Sequence, residues 1–378
     1  MIDRRALLAG TVGVLATAAG GVGAGAGPRD SNASSANAPT PASEGWFAPA
    51  DTVAHACTWM AWPARADVWK SDLPAVREEV ARVARAIAEF EPVSMVVRPD
   101  QAKDAASACG SAVRMIELQN DDLWMRDIGP IFLVNGRGGL AGVDLSFNGW
   151  GNRQTHADDA RVARGVLELL NAPRFVAPFV SEGGAIETDG AGTVLATESS
   201  IVNRNRNPGL SRAVLSARIE ASLGAKTVLW VPGLRDRDIT DCHIDALARF
   251  VAPGSLVVSL PAQGAKPDEW SRAQSQALKL LEASTDAAGR ALRCRVSRES
   301  AMVPAGFDAS TFVRSYVNWY LCNGAVLIPA FGDHTADADA RSLVADLYPG
   351  RTIVQLRIDR VAAGGGGIHC MTQQQPAA

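Results

Sequence analysis

The sequence predicts an α/β protein, because short apolar runs of strand type alternate with longer segments of helical period along most of the chain. Two bulk features agree. Hydrophobic residues make up 47% and charged residues 20%, the range of soluble globular proteins. A length of 378 residues exceeds one ordinary core, which points to two domains or to one large repeated architecture.

In chain order, residues 1–26 read as an address rather than as structure. Arg4 and Arg5 precede an uncharged run, Ala6 to Ala26, that ends in A-G-A just ahead of Pro28. A basic start, a weakly apolar middle and a small-residue end make a signal peptide, and the arginine pair predicts the twin-arginine export route. An ordinary secretory signal or a retained anchor are the alternatives. Residues 27–44, rich in Ser, Asn, Ala and Pro, are expected to be a disordered spacer. The folded domain then runs over 45–378, with no composition break inside it.

Within that domain T-W-M-A-W-P (58–63) reads as a strand. Leu73 to Phe90 reads as a helix, with Val76, Val80, Val83, Ala84 and Ile87 on one face. P-V-S-M-V-V follows as a strand. Helical patterns recur at 158–170, 208–223 and 270–283, separated by the strand-like runs T-V-L-W-V, S-L-V-V-S-L and G-A-V-L-I-P-A. No internal repeat is visible by eye.

A formal charge of −3 argues against a nucleic-acid partner and permits a small cationic one. Beyond the first 26 residues no stretch approaches the roughly 20 apolar residues of a membrane span. The six cysteines, at 57, 109, 242, 294, 322 and 370, show no framework spacing. Cys57, Cys109, Cys294 and Cys322 are expected as buried small hydrophobes, with one or two bridges left open.

The chemistry is expected in five turns rich in glycine and polar residues, placed where strands end. These are D-D-L-W-M-R-D-I-G-P (121–130), E-G-G-A-I-E-T-D-G (182–190), T-D-C-H-I-D (240–245), S-Y-V-N-W-Y (315–320) and G-G-G-G-I-H-C (364–370). In the last, four glycines allow close backbone approach and a thiol, Cys370, follows. A cysteine nucleophile reacts as thiolate and needs a polar neighbour. His369 is adjacent, but on an extended segment it would face away. His243 is therefore the better proton shuttle, and on a strand it would share a face with Asp245. A surface His–Asp pair is the bland alternative. Taken alone, Arg126–Asp127 reads more readily as a structural ion pair than as a site, and Glu182 could be a cap or turn residue. A zinc set from Cys242, His243, His369 and Cys370 is disfavoured by its spacing.

Taken together these motifs, with F-N-G-W-G-N, N-R-N-P, F-G-D and G-I-H-C-M-T-Q-Q-Q-P, resemble the agmatine deiminase family and the related bacterial-type peptidylarginine deiminases of the guanidine-modifying (pentein) superfamily. The resemblance runs from about Gly45 to Pro376. It implies a pentein-type α/β propeller of five ββαβ-like units in pseudo-fivefold arrangement, with the site in a central pit. It also implies Cys370 as nucleophile, His243 as general acid/base, and Asp127 and Asp245 as the grip on a guanidinium. Glu182 would hold substrate or histidine, and Trp124 and Asn318 would line the pocket. No metal or organic cofactor is implied. Members are often oligomeric, which admits a homo-oligomer.

The activity so implied is hydrolysis of a guanidinium C–N bond, with agmatine as first substrate and arginine in peptides as the alternative. Arg153, beside the G-W-G-N turn, could serve a peptide carboxylate. A non-catalytic guanidinium- or polyamine-binding protein is the third reading. Three departures from the family pattern bear on the pocket: Gly367 stands where asparagine is usual, Cys242 where glycine is common, and the residues after Glu198 differ.

Overall fold

The computed structural model describes residues 39–378. The expected signal peptide, 1–26, and the spacer as far as residue 38 lie outside the described residues. The end of that spacer is built. Ala42–Glu44 form a 3-10 turn closed by Gly45 at φ 82°, and the Trp46 N–H donates to the Pro41 carbonyl. Trp46 packs 6.4 Å from the Phe175 ring, and this apolar anchor carries order back past the expected domain edge.

Five sheets are present among the described residues, and four repeat one plan. In each a hairpin of two antiparallel strands is followed by a helix, and a third strand then joins in parallel. One sheet is Ile131–Val134, Leu140–Asp144 and Arg174–Val176; the next is Ile186–Thr188, Thr193–Thr197 and Thr227–Val231. The others are Ala248–Ala252, Ser255–Leu260 and Arg293–Arg298, then Tyr320–Cys322, Ala325–Ala330 and Thr352–Arg357. The remaining sheet joins the two ends of the domain. Its edge strand, Thr372–Pro376, pairs antiparallel with His55–Ala61, which continues in parallel to Val93–Val97 and Val113–Glu117. A repeat is therefore present in the backbone although none shows in the letters, because hairpin and crossover demand only apolar period and turns, not particular residues.

The helices form where the period placed them. Leu73–Ala88 starts with Pro74 in its first turn and buries Val76, Val80, Val83, Ala84 and Ile87 completely. Each larger side chain so buried stabilises the fold by about 1.5–3 kcal/mol relative to exposure. Glu269–Glu282 opens with a capping box between Asp268 and Ser271, and Arg212–Leu223 is capped by Ser211 and ended by Gly224 at φ 65°. No helix of the described residues is long and apolar enough to cross a membrane.

Three local expectations are corrected. The segments C-H-I-D and G-I-H-C are not strands: Ile244–Ala246 is a 3-10 turn, and residues 368–371 form a turn before Thr372. Nor do the functional turns lie where strands end. Each comes just ahead of the first strand of a sheet, which starts at Ile131, Ile186, Ala248, Tyr320 or Thr372. All six thiols are free, and Cys57 and Cys294 are only partly buried rather than core residues.

Candidate active site

The five turns converge. Asp127 stands on the short helix Met125–Ile128, Glu182 ahead of Gly183–Ala185, and His243 and Asp245 around Ile244–Ala246. Asn318 precedes Tyr320–Cys322, and Cys370 precedes Thr372–Pro376. One polar turn from each sheet thus reaches the same buried pit.

His243 is its centre. Nε2 lies 3.2 Å from Glu182 Oε2, and Nδ1 lies 3.7 Å from Asp127 Oδ1. Both Glu182 oxygens also accept from Arg206 Nε, at 2.8 and 3.0 Å, and Arg206 Nη1 donates to Asp241 at 2.9 Å. Glu182 therefore holds the histidine, and Arg206 holds Glu182. Asp127 is fixed by the Gly184 N–H at 3.0 Å and by Trp150 Nε1–H at 2.9 Å. Gly184 is required by this approach: a Cβ there would stand 2.7 Å from His243 Nδ1 and 2.8 Å from Asp127 Oδ1.

Cys370 Sγ is 3.4 Å from Asp245 Oδ2 and 3.2 Å from Asn318 Nδ2. The Asn318 Oδ1 accepts from the backbone N–H groups of both His369 and Cys370, at 3.0 and 3.3 Å, and so shapes the nucleophile turn. Asp245 Oδ2 also meets His369 Nδ1 at 2.8 Å, while Oδ1, equally buried, has no hydrogen-bond partner among the described residues. A buried carboxylate oxygen without a donor is costly, and it marks where a cationic N–H would be welcome.

The charges follow from this packing. Burial raises the Asp127 carboxyl, His243 draws it down and Glu182 and Asp245 push it up, with a result of about 6. Burial opposes charge on His243, yet Asp127, Glu182 and Asp245 outweigh it and push its pKa to about 9. Glu182 is held below the usual carboxylate range, since Arg206 and His243 overcome its burial. The His369 hydrogen bond likewise overcomes burial and brings Asp245 to about 2. Burial, with Asp245 and Asp127 nearby, pushes the Cys370 thiol well above its ordinary value. At neutral pH Arg206 answers Glu182, His243 answers Asp127, and Asp245 is met by the buried His369 imidazole with the charges of His243 and Arg249 acting from further off.

Trp124 and Arg153 lie differently from the rest. Trp124 is buried, hydrogen-bonded through Nε1 to Asp122 at 3.1 Å, and a Cβ on Gly366 would stand 2.2 Å from its ring; it packs under the glycine run. Arg153 makes its hydrogen bonds elsewhere, to Asp236, Asp241 and the carbonyls of Asp238 and Ile239. Arg126 and Asp127 do not pair with each other: Arg126 Nη2 donates to Gln374 at 2.8 Å, away from the pit carboxylates.

The sequence reading did not single out Trp150, Arg206, Asp241 or Asp51. Trp150 sits at φ 55° between two glycines, and that flanking was the available signal; Arg206 lies within the N-R-N-P motif, and Asp51 carried none. His369 was set aside because an extended segment would turn it away. The turn instead brings His369 and Cys370 to the same oxygen of Asp245. Among the described residues one group has metal-like spacing, Asp51, Glu187 and His369. Arg249 already supplies its cation, 2.6 Å from Asp51 and 2.8 Å from Glu187.

With this geometry in view, likeness to known proteins is informative. Residues 47–376 match the model of the Porphyromonas-type peptidyl-arginine deiminase family. A provisionally named agmatine deiminase of Streptomyces coelicolor is 43% identical over 87% of this chain and 98% of its own length. The agmatine deiminase of Stutzerimonas stutzeri is 36% identical over 89% of this chain and 97% of its own. The solved structure of Enterococcus faecalis agmatine deiminase superposes with a TM-score of 0.85 at 30% identity, over 90% of this chain and 98% of that one. The chain belongs to the Porphyromonas-type peptidyl-arginine deiminase family, whose agmatine deiminase relatives it matches end to end, and its fold is pentein-type α/β.

Proposed function

We propose that this protein hydrolyses agmatine to N-carbamoylputrescine and ammonia through a covalent thiouronium on Cys370. One observation carries the reading: a thiol, a charged imidazole and two carboxylates, Asp127 and Asp245, converge from three separate turns in a buried pit. A guanidinium is planar and cationic, and two carboxylates can take its N–H groups and hold its carbon before the sulfur. Its positive charge also cancels the field that keeps the Cys370 thiol protonated, so the thiol passes its proton to solvent water as the substrate enters.

The sulfur then forms a bond to the guanidinium carbon. His243, charged at neutral pH, gives its proton to one nitrogen, and the C–N bond breaks to release ammonia. Neutral His243 next takes a proton from water, whose oxygen adds to the thiouronium carbon. The C–S bond breaks as the adduct's hydroxyl gives its proton to solvent, which with ammonia accounts for ammonium; the ureido product leaves and the thiolate is restored. Arg206, through Glu182, keeps His243 oriented, and Glu182 keeps it protonated until the leaving nitrogen takes that proton.

Hydrolysis of agmatine is favoured over deimination of peptide arginine by closure and by Arg153. Cys370, His243 and Asp127 are all below one-tenth exposed, and the guanidinium of Arg153 is engaged by Asp236 and Asp241 rather than turned to a carboxylate. We also infer that the five sheets stand about one axis as ββαβ units, a reading supported by the functional turn ahead of each first strand. Arg4, Arg5 and the uncharged run after them support export to the cell envelope or beyond. The deciding experiment measures ammonia release from agmatine, free arginine and a blocked arginine peptide. Release chiefly from agmatine upholds the proposal, release chiefly from the peptide overturns the substrate, and silence on all three overturns the activity.

A further inference from the structure

We propose that His369, the residue before the nucleophile, is a positioning residue whose Nδ1–H fixes Asp245 so that one carboxylate oxygen stays turned to the substrate guanidinium. The proposal rests on the functional reading above for its substrate, but not for its geometry. His369 is buried, with Nδ1 at 2.8 Å from Asp245 Oδ2 and Nε2 at 3.2 Å from Asp51 Oδ2. Asp51 in turn is gripped by Arg249 Nη2 at 2.6 Å, and Arg249 also meets Glu187. The imidazole is therefore a strut between the pit and a rigid ionic layer behind it.

A carboxylate on a short side chain can rotate about its terminal torsion, which is broad and roughly two-fold. Asp245 has two competing demands on Oδ2, from His369 at 2.8 Å and from the Cys370 thiol at 3.4 Å. If His369 let go, Oδ2 would be free to swing towards the sulfur, and Oδ1 would leave the direction in which it has no partner among the described residues. That direction is where an N–H of the substrate fits, and a misplacement of about 1 Å at such a contact can cost on the order of 100-fold in rate. The backbone supports the same arrangement, because Asn318 Oδ1 holds the N–H groups of His369 and Cys370 together and fixes the turn that sends both side chains to Asp245.

The two ring nitrogens can be tested separately. In H369N the amide nitrogen replaces Nδ1 and can still donate to Asp245; in H369Q it replaces Nε2 and reaches only towards Asp51. Two readouts are used on the full chain. The first is kcat and KM for agmatine, where H369N should stay within about threefold of the native kcat and H369Q should fall by about 10- to 100-fold. The second needs no substrate: the rate of Cys370 alkylation by iodoacetamide at pH 8, followed by mass of the Cys370 peptide. H369Q should slow it at least about fivefold, with H369N close to native, since a released Asp245 carboxylate beside the sulfur disfavours thiolate. In a D245N background H369Q should have no further effect.

Equal behaviour of H369N and H369Q in alkylation, or an undiminished H369Q effect in the D245N background, would overturn the assignment. If H369Q does not fold, as judged by circular dichroism, H369S takes its place, because a serine reaches neither carboxylate. Native protein that releases no ammonia from any guanidine would sink the functional reading while the alkylation series still decides the role of His369.

Discussion

Two carboxylate centres lie back to back in this molecule, and they treat positive charge in opposite ways. In the layer behind the pit, Asp51 and Glu187 enclose the guanidinium of Arg249, which also donates to the Trp319 carbonyl at 3.1 Å. The cation is part of the chain and never leaves. In the pit, Asp127 and Asp245 face Cys370 and His243, and one Asp245 oxygen is left without a donor among the described residues. The first centre holds its cation within the chain; the second is arranged to receive a guest of the same chemistry. A structural ion site satisfies its own charge, whereas a binding site keeps some of its electrostatic energy unspent until the ligand arrives.

Substitutions that separate the two centres should therefore separate activity from stability. The largest effect belongs to C370A, which should lower ammonia release by about 10⁴-fold or more with an unchanged circular dichroism spectrum. Measurable turnover at a tenth of the native rate would remove the covalent mechanism and with it the pit half of the contrast.

Next in size is the pair D127N and R249M. D127N should cut kcat/KM by about 10²- to 10³-fold, yet its melting temperature at pH 7 should not fall. The sign follows from the pKa of about 6: the folded protein binds that proton more tightly than the unfolded chain does, so ionised Asp127 costs stability at neutral pH. R249M should do the reverse in kind, destabilising the fold by about 3–5 kcal/mol in urea titration because Asp51 and Glu187 lose their buried partner. A D127N variant that melts earlier than R249M would break the comparison.

A pH profile gives a finer reading. The value of kcat/KM should rise with ionisation of Asp127 at about 6 and fall as His243 loses its proton at about 9. The same histidine affects stability. Its folded pKa lies above the ordinary 6.5, so its contribution is complete below that value and is lost as pH rises through about 9. An H243N variant should lack the alkaline decline that His243 contributes to the native melting curve. The smallest effect is expected of C242G. Cys242 sits at φ 71°, so glycine relieves about 1–2 kcal/mol of left-handed strain and offsets much of the lost side-chain burial. Its melting temperature should stay within a few degrees of native.

How much of this was legible in the letters varies with the kind of fact. The helix Leu73–Ala88 and the strand Ser255–Leu260 could be read because apolar period is local and repeats along the segment. Cys370, His243, Asp127, Asp245 and Glu182 could be picked out as unusual turns, and the family resemblance named roles for them. Their meeting could not be derived from spacing. His243 and Asp245 were expected on one face of a strand, but they lie on a turn with separate partners, Glu182 for one and His369 for the other. His369 was excluded by the alternation rule of extended chains, a rule that lapses in the turn at 368–371. The N-R-N-P motif marked Arg206 but not what it holds, since its partners Glu182 and Asp241 are 24 and 35 residues away.

By itself, then, the sequence determined the α/β class, the positions of several of the longer helices and strands, and which turns carry reactive groups. These depend on period, caps and residue chemistry over a few neighbours. Only the tertiary structure decided which carboxylate serves the histidine, which serves the thiol, and which is bound to an internal arginine. Those choices are made by partners from other sheets, brought within about 3 Å by strand pairing across the domain, and at that range a difference of one hydrogen bond moves both charge and geometry.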